Sequence, residues 1–105
     1  MTYKKLVRDN IPDIIAKNGE KPIFRILSDE EYKKELEKKL LEECNEVINA
    51  DGNDRVEELA DLLEVVMCLA KLQNKKINDI LKVSEIKRDK RGTFAKKIYL
   101  ENVEK

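Results

Sequence analysis

Two apolar patterns of helical period, separated by one tight turn, constrain the fold of this chain most strongly. Before the turn, apolar side chains recur every three or four residues, as they do in an amphipathic helix; they include Tyr32, Leu36, Leu40, Cys44 and Val47. After the turn, residues 55–74 carry apolar side chains on most sides of a second helix, which therefore needs cover from several directions. The turn occupies residues 51–54 and contains Gly52. We therefore expect an antiparallel pair of long helices.

Capping residues indicate where the helices begin. Ser28 followed by Glu31 has the pattern of a capping box, so the first long helix is expected to start there and to run to about residue 50. By similar criteria three more helices are expected, over residues 12–18, 55–74 and 79–89, the last two capped by Asp54 and Asn78.

Two short segments have the composition of β-strands. Residues 22–27 (PIFRIL) are apolar and lie between turn formers, and residues 97–100 are expected to pair with them. No repeat or linker divides the chain. The expected fold is mainly α: a single domain of residues 1–105 with a helical hairpin, two flanking helices and a minor two-stranded sheet.

The charge balance and the apolar pattern exclude several classes of protein. The 22 basic and 22 acidic residues cancel, whereas a protein that binds nucleic acid through phosphate neutralisation carries a basic excess. The longest apolar stretch, residues 59–72, contains three charged residues and is too short to span a bilayer. No signal-peptide pattern is found, and Cys44 and Cys68 are expected to be buried, reduced thiols. We expect a cytoplasmic protein that binds neither nucleic acid nor membrane.

Four acidic residues are placed symmetrically about the turn. Glu46 and Glu58 each lie six residues from Gly52, and Glu43 and Asp61 each lie nine residues from it. Equal distance from the turn means equal height in an antiparallel hairpin, and a spacing of three places both acids of one helix on one face. The four carboxylates are therefore expected to converge as two facing pairs.

Such a group of carboxylates favours a divalent metal ion. Several negative charges beside apolar faces repel one another and lose hydration, and a multivalent cation relieves both costs. Oxygen ligands without histidine or thiolate point to Mg²⁺, with Mn²⁺ or Ca²⁺ as alternatives. A second interpretation is open: Glu46 and Glu58 are solvated, and Glu43 and Asp61 pair with lysines. Glu57 and Glu64 are further acids nearby that could support the metal ligands.

Two basic segments could bind phosphate. Lys87 and Arg91 have the spacing of neighbours on one helical face, and the fork of donors on arginine suits phosphate oxygens. Lys5, Arg8 and Asp9 precede a helix start, which is a further plausible anion site. The alternative for residues 87–91 is a solvated basic helix end favoured by the helix dipole.

Five segments, taken in order, resemble a known family: KLVRDNIPDII at 5–15, PIFRILSDEEY at 22–32, LLEECNEV at 40–47, EELADLLEV at 57–65 and KRDKRGTF at 87–94. They are similar to the phosphoribosyl-ATP pyrophosphohydrolase-like, MazG-related branch of the all-α nucleoside triphosphate pyrophosphatases, the house-cleaning enzymes. The resemblance covers nearly the whole chain. Further motifs of the histidine-biosynthesis enzymes are missing, so that particular activity is not expected.

The resemblance implies residue roles and an activity. The E-x-x-E and E-x-x-D motifs of the superfamily, whose side chains bind Mg²⁺, fall on Glu43, Glu46, Glu58 and Asp61. The lysine and arginine that contact phosphates in related enzymes correspond to Lys87 and Arg91. The implied reaction is Mg²⁺-dependent hydrolysis of a nucleoside triphosphate, expected to be a noncanonical one, to the monophosphate and pyrophosphate.

Two other classes of function stay open on the sequence alone. The chain could be a catalytically silent helical module that binds nucleotide or a protein partner, or a purely structural helical assembly.

Whichever function applies, residues 59–72 present more apolar surface than two flanking helices and a short sheet can cover. A homodimer or a larger even-numbered homo-oligomer is therefore expected.

Overall fold

The computed structural model describes residues 4–105, which form four helices. They are α1 (Ile11–Lys17), α2 (Asp29–Asn49), α3 (Gly52–Leu72) and α4 (Ile77–Arg91). The expectation of a mainly α chain is confirmed, and each helix matches one that the sequence predicts. None of these helices contains a stretch apolar and long enough to cross a membrane.

Helix α2 begins at the predicted capping box. The backbone N–H of Glu31 donates to Ser28 Oγ at 3.2 Å, and the backbone N–H of Ser28 donates to Glu31 Oε1 at 3.2 Å. Asp29, Glu30 and Glu31 place negative charge in the first turn, where the helix dipole favours it. The start of this long helix is therefore specified locally.

Helix α3 starts three residues earlier than predicted. Asp51, and not Asp54, is its N-cap residue, and Asp51 Oδ1 accepts the backbone N–H of Gly52 at 2.9 Å. Gly52 adopts a positive φ of 56°, which costs a glycine little. Asp54 lies instead in the first turn, near the positive end of the helix dipole. The connection between α2 and α3 is therefore only two residues long.

Arg55 closes this connection from the α3 side. Its Nε donates to the carbonyl oxygens of Ala50 at 2.8 Å and Val47 at 3.1 Å, and its Nη2 donates to that of Ile48 at 3.4 Å. The last carbonyl groups of a helix have no partner within it, so a side chain that binds them stabilises the helix end. Arg55 thereby ties the end of α2 to the start of α3.

The two long helices pack against each other as an antiparallel hairpin. Leu36 near the start of α2 is buried, as are Val65 and Ala70 in the second half of α3. Burial, followed by a hydrogen bond with Cys68, raises the pKa of the Tyr32 hydroxyl. Cys68 and Cys44 are free thiols, and both are half-buried rather than buried as expected.

Helix α4 makes only a limited contact with the hairpin of α2 and α3. It begins with the backbone N–H of Lys76 donating to Asp79 Oδ2 at 2.8 Å, so Lys76 is the N-cap residue and the predicted cap, Asn78, lies inside the helix. Of the helices described, α4 packs against α3 alone. The radius of gyration is 18.3 Å, compared with about 13 Å for a compact chain of this length. The single chain is therefore elongated, at 65 × 33 × 24 Å.

The predicted two-stranded sheet is wrong for the chain as described, because residues 4–105 contain no strand. Residues 22–27 have no neighbour for ladder hydrogen bonds, and Ile23 is 92% exposed. Arg25 turns instead to α2 and donates to both carboxylate oxygens of Glu31, at 3.0 and 2.6 Å. In the second segment Lys97 has a φ of 60° and donates its backbone N–H to Phe94 at 3.1 Å. That turn geometry is incompatible with the start of a strand.

Candidate metal centre

Three of the four predicted carboxylates converge across the hairpin. Oxygen atoms of Glu43, Glu58 and Asp61 lie within 4.8 Å of one another. Glu43 comes from α2, and the other two come from α3, one helical turn apart on the same face. All three are half-buried, and the side chain of Glu43 is only 12% exposed. We call Glu43, Glu58 and Asp61 the carboxylate cluster.

The fourth predicted carboxylate, Glu46, is exposed and does not belong to this cluster. Its charge is nevertheless felt there, because it contributes to the raised pKa of Glu58. Glu46 lies one turn of α2 beyond Glu43, toward the connection. The structure therefore brings together three of the predicted ligands and places the fourth nearby.

The electrostatics of the cluster disfavour negative charge. Burial is the largest cause of the raised pKa of Glu58, followed by the charges of Glu46, Asp61, Glu43 and Glu57. A bound cation would remove both causes. Hard oxygen donors from three carboxylates match the ligand preference of Mg²⁺ or Mn²⁺, and the chain has no histidine to favour a softer metal. The donor set therefore fits a hard divalent cation.

Arg8 binds the α3 side of the cluster. Its Nη2 donates to Asp61 Oδ1 at 2.8 Å, and its Nη1 lies 3.8 Å from Glu64 Oε1. Glu64 also accepts from the thiol of Cys68 at 3.7 Å. Arg8 belongs to the segment before α1, and it is 53 residues from Asp61 in the sequence. The predicted anion-binding residue therefore lies beside the predicted metal ligands, bound to one of them.

Lysine side chains lie beside the acidic residues on the α2 side of the carboxylate cluster. Lys39 Nζ lies 3.7 Å from Glu43 and 3.4 Å from Glu42, and Lys5 Nζ lies 3.9 Å from Glu42. The sequence allows two interpretations of Glu43, as a member of a carboxylate group or as the partner of a lysine. The structure shows both features at once. Lys39 was missed as a site residue, although its spacing of four from Glu43 predicts their contact on a helix.

Lys87 and Arg91 lie apart from the carboxylate cluster. Both are exposed residues of α4, and neither forms an ion pair with an acidic residue in the described part of the chain. Helix α4 has no packing contact with α2, which carries Glu43. Among the described residues of one chain, Arg8 therefore pairs with the carboxylate cluster and the two α4 cations do not.

Comparison with known proteins identifies a relative but no family. The chain is 48% identical, over 50 residues, to an uncharacterized protein of Mycolicibacterium smegmatis. The alignment covers 48% of this chain and 51% of that protein, so the chain spans about half the length of the relative it matches. No protein-family model and no solved structure matches the chain.

Proposed function

We propose that the chain is a Mg²⁺-dependent nucleoside triphosphate pyrophosphohydrolase of the all-α type, which releases the nucleoside monophosphate and pyrophosphate. One observation carries the proposal: Glu43, Glu58 and Asp61 converge from two facing helices, with the cation Arg8 beside them. Oxygen ligands for a hard metal and a donor for phosphate are the two components that phosphoanhydride hydrolysis requires. The resemblance in sequence supports the same reaction.

The residues of the chain divide into two roles. Glu43, Glu58 and Asp61, joined by Glu46 after a side-chain rotation, would hold the metal. When bound, Mg²⁺ would neutralise phosphate charge and make water more acidic. In the proposed reaction a water oxygen bonds to the α-phosphorus, the bond from that phosphorus to the bridging oxygen breaks, and the electron pair leaves with pyrophosphate. A carboxylate of the cluster, or the adjacent Glu57, accepts the proton of the water.

Arg8, Lys87 and Arg91 are proposed to bind the phosphate chain. Because α4 has no packing contact with α2 and its cations form no ion pair with the cluster of the same chain in the described residues, we propose that α4 serves the cluster of a second copy in a homodimer or larger even-numbered assembly. Large apolar side chains exposed on α3 and α4 support an interface there: Leu59, Leu63, Leu81, Val83 and Ile86. A site shared between copies would explain why the single chain is so extended.

A pyrophosphate-release assay tests the activity. Wild-type protein should release pyrophosphate from at least one member of a panel of ordinary, deoxy and chemically modified triphosphates, and EDTA should abolish the release. The modified triphosphates are expected to be the better substrates, as the resemblance to house-cleaning enzymes implies.

The matched variants are Asp61→Asn, which should be inactive, and Asp13→Asn, an exposed position in the first turn of α1, which should remain active. Binding of a triphosphate without Mg²⁺-dependent release by any panel member would support the alternative, a silent nucleotide-binding module.

A further inference from the structure

The contact between Arg8 and Asp61 joins a proposed phosphate-binding side chain to a proposed metal ligand. The Asp61 oxygen that accepts Arg8 at 2.8 Å belongs to the same carboxylate that contributes to the cluster. Glu64, one turn further along α3, provides the second contact at 3.8 Å. The guanidinium therefore supplies positive charge at the place where a divalent cation would supply it.

The two cations cannot both occupy this position without a cost. Mg²⁺ binds carboxylate oxygens at about 2.0–2.1 Å and demands near-octahedral geometry. A guanidinium held at hydrogen-bonding distance from the same oxygen would also repel the ion. Metal binding at Asp61 is therefore expected to weaken or displace the contact with Arg8.

Arg8 is well suited to being displaced. Its side chain is 56% exposed and that of Asp61 is 45% exposed, so solvent screens the pair and makes it weak. Arg8 lies outside the helices, immediately before the turn that starts α1. The long side chain can therefore rotate away from Asp61 while the backbone stays in place. By contrast, Lys39 is anchored on α2 beside Glu43 and is only 19% exposed.

We propose that Arg8 is an exchangeable counter-ion: it neutralises Asp61 and Glu64 while the metal is absent, and it moves to the phosphates of the substrate when the metal binds. This inference rests on the proposed function. The exchange makes one residue compete with the metal and assist the nucleotide. A planar fork of donors suits both tasks, because carboxylate and phosphate present similar pairs of oxygens.

The exchange also links the two ligands. With the metal bound, Arg8 is free to contact phosphate, so Mg²⁺ should raise the affinity for a triphosphate, and by linkage the triphosphate should raise the affinity for Mg²⁺. Without Arg8, this part of the coupling disappears. Arg8 would thereby raise the affinity for the nucleotide when the metal is bound and would not raise it when the metal is absent.

Titration calorimetry with Mg²⁺ alone tests the competition without relying on activity. Arg8→Gln should bind Mg²⁺ about two- to fivefold more tightly than wild type, the change expected for loss of one exposed ion pair. Arg25→Gln is the matched control, because it removes the same charge from a pair with Glu31 outside the cluster. Its Mg²⁺ affinity should equal that of wild type. Far-UV circular dichroism of each variant checks that helix content is unchanged.

A second titration uses a non-hydrolysable triphosphate with an α,β-methylene bridge, with and without Mg²⁺. The gain in its affinity on adding Mg²⁺ should be smaller for Arg8→Gln than for wild type. Mg²⁺ binding by wild type with equal or weaker binding by Arg8→Gln would overturn the role of Arg8 alone. Wild-type protein that binds no Mg²⁺ would overturn the proposed function together with this inference.

Discussion

Arg55 Nε lies 2.8 Å from the carbonyl oxygen of Ala50, across the connection between the two long helices. The same guanidinium also reaches the carbonyls of Val47 and Ile48. This one side chain therefore holds the end of α2 in a defined position relative to the start of α3. The height of Glu43 opposite Asp61 depends on that position.

Replacing Arg55 should loosen the hairpin. Arg55→Ala should lower the free energy of unfolding by about 1–2 kcal/mol, because hydrogen bonds from a charged donor to α2 carbonyls are lost at a partly solvated site. Urea denaturation measures the change. Arg88→Ala, on the exposed surface of α4, is the control and should stay within about 0.5 kcal/mol of wild type. Equal stability of the two variants would show that the Arg55 contacts contribute nothing.

The raised pKa of Glu58 makes stability depend on pH in a defined direction. Because folding raises the pKa of Glu58, ionisation of this carboxyl lowers the free energy of unfolding. The contribution of protonated Glu58 to that free energy is fully present at pH values below the unfolded pKa. It is lost as the pH rises through the folded pKa. In EDTA, Glu58→Gln should therefore melt at a higher temperature than wild type at pH 7, and the difference should shrink as pH falls toward 4. Thermal unfolding followed by circular dichroism measures both.

Mg²⁺ should reverse this order, since binding at the proposed metal site would stabilise wild type and would stabilise Glu58→Gln much less. Glu30→Gln, an exposed acid at the start of α2, controls for the general effect of removing a negative charge. A wild-type melting temperature unchanged by Mg²⁺ would contradict the assignment of the cluster as a metal site.

Kinetics should separate binding from chemistry on α4. Arg91→Lys should lower kcat although charge is conserved, because a single ammonium cannot match the planar fork at a developing charge. Lys87→Ala should chiefly raise KM. The expected loss is about 1.5–3 kcal/mol for a hydrogen bond to a charged group, or roughly tenfold to more than a hundredfold in rate. Wild-type kinetics in both variants would leave residues 87–91 as a solvated helix end.

Mixing two impaired variants tests whether α4 acts on a second copy. Asp61→Asn should be inactive alone, and Arg91→Ala should keep at most about a tenth of wild-type activity. If α4 serves the partner's cluster in a dimer, half of the randomly mixed dimers are hybrids and each hybrid has one intact site, so about a quarter of wild-type activity should return. If α4 serves its own chain, mixing restores nothing. A monomeric mass by light scattering at micromolar concentration would also rule out a shared site.

The sequence predicts best where the causes are local. The capping box at Ser28 and the periodic apolar residues of α2 depend on neighbours within a few positions, and the structure confirms both. Equal spacing about Gly52 correctly predicts that Glu43 meets Asp61, because helix rise converts residue count into height. The lysine contact of Glu43 follows from local spacing in the same way.

Prediction is poorest where a second element decides the outcome. Residues 22–27 have strand composition, but a strand requires a partner, and the ion pair of Arg25 with Glu31 draws this segment to α2 instead. That pair and the Ser28 N–H hold the pKa of Glu31 at about 2. Similarly, no spacing rule connects Arg8 with Asp61, because the contact depends on how the N-terminal segment returns to α3.

The length of the two-residue connection between α2 and α3 determines how the two helices are aligned. One residue inserted at Ala50 or Asp51 and taken up as helix at the start of α3 would rotate the rest of α3 by about 100° and shift it by about 1.5 Å relative to α2. Glu58 and Asp61 would then face away from Glu43, and a different set of apolar side chains would meet Leu36. Changes in chain length can be absorbed by the irregular segments at residues 18–28 and 92–105. An insertion taken up in this way would separate the members of the carboxylate cluster without replacing any of them.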